Sequence, residues 1–375
     1  MVIAINTALF SNLNAEDADT FIYECFSRIT AFNPQHHFIF IFDKAFNKSL
    51  ITGKNTTAVI VKQIPINTIA RRYWYNYKLP AILKKHKVDI LFNADPVCSL
   101  RTKIPQYNLI TTLSWMAYPQ FYKKSHAGFF KKMMPKFLYK TNSIMTVSVQ
   151  LKKNIIDLYK VAADKITVLP AAANDNYKPV DWEEKEQLKE KYADGKEYFL
   201  YTGVIAASNN LMNMLKAFSH FKKWQKSNMQ FVIAGNVAPG YEKFLSDLKL
   251  YKYRDDVKVI ENFTQKELIE LTVAAYAVVA TTYVENTNIY VVQAMKAGIP
   301  VIVTRNTAAA TFGDAVLAAN PDDHKDIAEQ MILLYKDELK RNTVITAGSN
   351  IVKTNDWDKT AALIWQTITG SIQNT

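Results

Sequence analysis

Tyr198-Phe199-Leu200-Tyr201-Thr202-Gly203 and Gln230-Phe231-Val232-Ile233-Ala234-Gly235 are two β-rich runs, each halted by a glycine. Between them, residues 211–225 carry apolar side chains at helical spacing. A strand, a helix and a second strand of these lengths make a βαβ unit, and its crossover makes the two strands parallel. The alternation continues with helix 241–251, strand 257–260, helix 265–275, strand 277–281, helix 290–297 and strand 299–303, then helical segments from Asp323. An earlier series has strand patterns at 2–5, 38–42, 58–61, 88–92, 109–113, 144–147 and 166–169. Helical patterns at 18–32, 71–86 and 148–159 lie between several of them, the last with Ser148 as N-cap. Strand–helix alternation throughout predicts an α/β protein with two doubly wound parallel sheets in series.

The 375 residues suit two domains of ordinary size. The expected division is a first domain 1–178, a polar connection 179–197, a second domain 198–355, and a terminal helix 356–375 that packs back toward the first domain. With 49% apolar and 21% charged residues the chain is neither disordered nor fibrous. Cys25 and Cys98, its two cysteines, are too few for a disulfide framework and suit a reducing compartment. The first strand pattern has no basic segment before it, and the longest uncharged apolar stretch, 271–284, is short of the roughly 20 residues a membrane span needs. A cytoplasmic chain, or one peripheral on the inner face of a membrane, is expected. Glycine is scarce: the chain has 10, where average usage of about 7% would give about 26.

The formal charge of +12 is concentrated. Between Asp95 and Asp157 there is no Asp or Glu, while ten Lys and Arg fall there. At its centre, Lys123, Lys124, Phe129, Phe130, Lys131, Lys132 and Lys136 alternate basic and apolar positions at close to helical period. Two readings fit. One is an interfacial helix with a cationic rim, attracted to an anionic membrane surface; the other is a solvated helix whose apolar side packs on the domain core. In either case Pro135 should kink or divide it. No nucleic-acid-binding motif accompanies the charge.

Ligands of doubly wound sheets bind beyond the carboxyl ends of the strands. Loops 203–210, 235–240, 281–293 and 304–313 are therefore the segments to inspect. The pairs Asp255-Asp256 and Asp322-Asp323 sit at helix or loop edges and read as solvent-exposed, so no metal site is expected.

At these loops the sequence resembles the retaining glycosyltransferases of the GT-B fold, family 4. The likeness is carried by the 199–203 strand and turn, by Lys216-Ala217-Phe218, by Phe231-Val232-Ile233-Ala234-Gly235, and by the block from Glu285 through Gln293-Ala294-Met295-Lys296-Ala297-Gly298-Ile299-Pro300-Val301-Ile302. The resemblance implies two Rossmann-like domains facing across a cleft. It implies transfer of a hexosyl group from a nucleotide-sugar to a saccharide or lipid-linked acceptor, with no metal or other cofactor. Carried over position by position, it makes Glu285 the catalytic candidate near the donor sugar. Gly203, Ser208, Asn209, Gly235, Asn288, Ile289, Gln293 and Arg305 become donor-binding candidates, and Ser114 and Trp115 acceptor-side ones.

Departures from the family fall in those same loops. The Arg and Lys that neutralise the donor diphosphate are replaced by Val204 and Asn209, and no cation precedes Lys216. Gln293 stands for the second Glu of the Glu-x7-Glu motif, Asn286-Thr287-Asn288 for Gly-Phe-Gly, and Ser114-Trp115 for a His-Asp pair. Arg305 could supply a relocated cation. The rival function is a non-catalytic GT-B protein that binds a saccharide, a membrane or a partner. A dinucleotide oxidoreductase is disfavoured, since no strand is followed by Gly-x-Gly-x-x-Gly.

Overall fold

The computed structural model describes residues 1–7, 16–43, 53–61, 67–238, 240–283, 287–305, 307 and 312–370. The chain divides into two compact units: Met1–Pro170 with Trp357–Thr375, and Ala171–Asp356.

The first unit is built on seven parallel strands, β1 (Val2–Asn6), β2 (His37–Phe42), β3 (Thr56–Ile60), β4 (Ile90–Asn93), β5 (Gln106–Ile110), β6 (Ser143–Thr146) and β7 (Ile166–Val168). Their order is β3-β2-β1-β4-β5-β6-β7. β1 pairs with β2 from Val2↔His37 and with β4 from Ile3↔Ile90, so the winding reverses between β1 and β4. Every residue of β4 and β5 is buried, as befits strands covered on both faces. The terminal helix Trp357–Gly370 closes this unit against helix Glu16–Phe32. Trp357 meets Phe21 edge-on at 5.4 Å, Arg28 pairs with Asp358 at 2.7 Å, and Thr360 donates to the Pro170 carbonyl at 2.8 Å.

Where one helix is expected over 71–86, the structure has Thr68–Tyr73 and Leu79–Lys85 joined by a π-helical turn, Trp74–Lys78. Pro80 has no N–H to close an ordinary helical bond to Asn76, and the Leu79 N–H reaches back to the Trp74 carbonyl instead. The widened turn buries Trp74 and Tyr75. Pro135 does not divide its helix, which runs unbroken over Lys124–Lys140. Phe129, Phe130, Met133, Met134, Phe137 and Leu138 are buried on its inner side, while Lys131, Lys132, Pro135 and Lys136 are exposed. The apolar face is thus spent on the unit's own core, and Phe129 and Phe130, at 7% and 5% exposure, offer nothing to a lipid surface.

The second unit has six parallel strands, β8 (Tyr198–Thr202), β9 (Gln230–Ala234), β10 (Val257–Ile260), β11 (Ala277–Ala280), β12 (Val301–Thr304) and β13 (Leu317–Ala319), in the order β10-β9-β8-β11-β12-β13. Its core is aromatic: Phe199 meets Phe221 at 5.0 Å, and Phe218 meets Phe231 at 5.6 Å. Helix Trp182–Ala193, in the stretch expected as a connection, is fastened within this unit by Lys191 and Tyr192 on Glu270 at 2.7 and 2.6 Å. Here the winding reverses between β8 and β11. Each unit therefore has one switch point, and at its carboxyl edge ligands of such sheets bind.

Candidate functional site

In the second unit the turns after β8 and β9 lie against each other. Gly203 sits at φ 138°, and its N–H donates to the Ala234 carbonyl at 3.1 Å. A Cβ on Gly235 would lie 2.0 Å from the Gly203 carbonyl oxygen, so this crossing admits only glycine there. The Ile205 N–H continues the tie to the Asn236 carbonyl at 2.8 Å. Asn209, the expected substitute for a phosphate-binding Lys, turns inward and donates to the Val204 carbonyl at 2.5 Å, and the Tyr201 hydroxyl donates to the same oxygen. The loop is held by neutral hydrogen bonds where the family pattern carries charge. Ser208 is half-buried, and its carbonyl accepts from the Tyr283 N–H at 3.2 Å. Asn210, at φ 62°, donates to the carbonyls of Thr281 and Pro321 at 2.8 and 2.7 Å. That one side chain fastens together the loops after β8, β11 and β13.

Three buried polar side chains gather where β11 leads into helix Ile289–Lys296. Among the described residues Thr281 Oγ1, Thr287 Oγ1 and Asn288 Nδ2 have no hydrogen-bond partner, and their residues are 0%, 1% and 5% exposed. Asn288 stands at the N-cap position with φ 57° and its side chain does not cap the helix. Unpartnered buried polar groups are costly, and here they adjoin the positive end of a helix, where N–H groups favour an anion. Ile289 is buried at that first turn and Gln293 is half-buried one turn on. Arg305, 53% exposed, donates to Asp326 at 2.8 Å and to the Ala318 carbonyl at 3.3 Å, so its guanidinium is engaged at the edge by β13. Glu285 lies outside the described residues.

In the first unit the switch point holds a polar row the sequence reading missed. Asn6, at the end of β1, donates to Asn93 at 3.2 Å; Asn93, at the end of β4, donates to Asn108 of β5 at 3.0 Å. All three are at most 1% exposed. Beyond them Asp95 accepts from the Val97 N–H at 2.6 Å and from the Tyr75 hydroxyl at 2.9 Å. Burial pushes the Asp95 carboxyl up to about 6, although both hydrogen bonds and the Arg71 charge oppose the shift. Arg71 is only 7% exposed, and its side chain makes no hydrogen bond or ion pair to a described residue; its Nε is fully enclosed. Burial and the Arg71 charge both hold the His126 imidazole below its ordinary range. Ser114 hydrogen-bonds the Tyr122 hydroxyl, and Trp115 stacks on Phe130 at 4.5 Å with its indole N–H buried and, among the described residues, unpartnered. The signal for Asp95 and Arg71 was faint: Asp95 is the last acid before the acid-free stretch, and Arg71 opens a helix pattern that precedes strand 88–92.

Neither cysteine is a candidate nucleophile: burial raises both thiols, Cys98 to about 12. Asp256 pairs with Lys222, Asp322 accepts from Tyr283, and Asp323 caps helix His324–Lys336. Among the described residues no group of three or more His, Cys, Asp or Glu is placed to hold a metal ion, and no helix is long and apolar enough to cross a membrane.

Two doubly wound units of this order, each with a furnished switch point, define the GT-B class of fold. The whole chain superposes on sucrose-phosphate synthase of Thermosynechococcus elongatus with a TM-score of 0.81 at 13% identity, covering 100% of both chains. It superposes on Anabaena HepE, solved with UDP and glucose, with a TM-score of 0.77 at 12% identity, covering 99% of this chain and 100% of that one. Residues 182–351 match the model of the glycosyl transferases group 1, and residues 33–176 match that of Glycosyltransferase Family 4. The chain is a GT-B fold protein that resembles the group 1 and family 4 glycosyltransferases. O-antigen chain mannosyltransferase B of Escherichia coli is 24% identical over 244 residues, 64% of this chain and 64% of that protein.

Proposed function

We propose that the protein transfers a hexosyl group, with retention at the anomeric carbon, from a nucleotide-sugar to a saccharide or lipid-linked acceptor in the synthesis of a cell-envelope glycan. The second unit would hold the donor at the β8–β11 edge, and the first unit the acceptor at the β1–β4 edge. The observation that carries the reading is the trio of unpartnered groups on Thr281, Thr287 and Asn288 at the start of helix Ile289–Lys296. Thr287 and Asn288 immediately precede that helix, whose first N–H groups would meet the charge of a departing diphosphate, and fixed dipoles stabilise developing charge without reorganising. The UDP and glucose of the HepE structure and the glycan named for the Escherichia coli relative support the substrate classes. Glu285 is the proposed catalytic residue by the resemblance alone. Exposed Lys123, Lys124, Lys131, Lys132 and Lys136 would hold the first unit to an anionic membrane by charge.

A second reading, a GT-B protein that binds without transferring, is favoured by the cation-free loop 203–210 and by the engagement of Arg305 with Asp326. Thermal unfolding with UDP, GDP, ADP and CMP separates the two. A nucleotide at 100 times its dissociation constant adds about 2.7 kcal/mol to the native state, and a midpoint raised by one of them supports the donor site. No rise with any of them moves the conclusion to the second reading.

A further inference from the structure

Arg71 of the first unit, 7% exposed and with its Nε enclosed, has no role in the site described above. Arg71 is on helix Thr68–Tyr73, which packs against helix Lys124–Lys140. A guanidinium offers five N–H donors and stays charged at any physiological pH. Burying one without a paired anion is among the more expensive arrangements a core can hold. No ion pair joins it to the nearby carboxylate of Asp95, whose oxygens accept from the Val97 N–H and the Tyr75 hydroxyl. Among the described residues the buried Trp115 N–H has no partner, and its ring lies on Phe130, one helical turn beyond the His126 ring that feels the Arg71 charge. The carboxyl edge of β1 and β4 beside them is the switch point of this sheet.

We propose that Arg71 is an oxyanion subsite of the first unit, and that the acceptor therefore carries a phosphate or carboxylate group. The inference rests on the transferase reading for the word acceptor, and on the unpaired donors for the charge of the ligand. A forked guanidinium accepts both oxyanions in a two-pronged contact, and a neutral sugar hydroxyl would leave the charge unanswered.

Titration calorimetry of the full chain with inorganic phosphate, and separately with glucuronate, tests it and distinguishes the two sources of the anion. Saturable binding of either is expected. Arg71→Met should weaken it about 10- to 100-fold, as loss of a charged hydrogen-bonding partner does, and Arg71→Lys should weaken it less. Lys249→Met, an exposed lysine of the other unit, should leave this component unchanged. The unliganded Arg71→Met chain should unfold at the same temperature as the wild type or higher, because an unpaired buried charge has been removed. A midpoint several degrees lower would assign Arg71 a structural role and overturn the proposal, as would binding indifferent to both Arg71 variants or binding of neither anion by the wild type. If nucleotides raise the midpoint while anion binding ignores Arg71, this inference fails alone. If Arg71-dependent anion binding survives with no nucleotide response, the donor reading fails instead.

Discussion

Replacing Asn210 probes how the loops of the second unit are held in place. Its side chain is 5% exposed and gives its amide N–H groups to two carbonyls, on Thr281 and Pro321, at 2.8 and 2.7 Å. Its backbone is left-handed at φ 62°, which Asn tolerates better than most residues. Asn210→Ala removes two hydrogen bonds worth about 0.5–1.5 kcal/mol each and imposes a strain of about 1–2 kcal/mol on a residue with a Cβ and no local polar partner. The sum is about 2–5 kcal/mol. At about 2–4 °C per kcal/mol for a unit of this size, scanning calorimetry should show the second unit melting roughly 4–20 °C early. Asn210→Gly loses the same bonds without the strain, so it should recover about 1–2 kcal/mol of that deficit. Both variants should weaken the nucleotide-induced rise in midpoint, because only the Ser208 carbonyl, bonded to the Tyr283 N–H, then ties loop 203–210 to the loop after β11 among the described residues. Equal stabilities for the Ala and Gly variants would refute the strain argument, and a full nucleotide response in either would refute the fastening role.

Three other perturbations follow from particular contacts. Gly235→Ala places a methyl 2.0 Å from the Gly203 carbonyl oxygen, and should cost at least about 3 kcal/mol in a urea titration through the forced separation of two turns; a loss under about 1 kcal/mol would contradict the crossing. Asp95→Asn should gain on the wild type as pH rises from about 4 to 7. A folded carboxyl raised to about 6 from 3.8 contributes stability at low pH that is lost as pH climbs through 6, on the order of 2–3 kcal/mol in all, and a pH-independent gap in midpoint would contradict it. Changing Lys131, Lys132 and Lys136 to Glu should abolish salt-sensitive binding to anionic vesicles and leave the melting temperature within a degree or two; binding unchanged would remove these exposed lysines from membrane docking.

The sequence was most legible where a strand is abruptly ended. β8, β9 and β10 fall on the expected residues because each is an apolar or β-branched run bounded by a glycine or a polar turn. β13 escaped notice, since Leu317-Ala318-Ala319 has no β-branched residue and is a strand only by pairing with β12. Pro135 was read by its local rule. That residue and Lys131, whose carbonyl loses its helical donor, both lie on the exposed side of the helix, so water can satisfy the freed group. Among the candidate residues, the backbone roles of Gly203 and Gly235 were written in their position after strands. Asn209 was visible as a missing cation but not as a clamp on Val204, because the partner is fixed by how the loop closes. Arg71 is one of 46 basic residues, and its burial depends on Asp95 and His126 from distant segments, a placement no local pattern records.

Because the terminal helix completes the first unit, the second unit is an insertion within the first, and the chain crosses between them at 170–171 and again at 356–357. During synthesis the β1–β7 sheet emerges early, yet Phe21 waits for Trp357 and Arg28 for Asp358. At about 5–20 residues per second on the ribosome, that interval is roughly 10–40 s, the time in which the inserted unit is itself made. The nascent first unit therefore spends this time with one apolar seam open. A ribosome that stalls or terminates within the last helix would release a chain whose second unit is finished and whose first is exposed to proteases and chaperones.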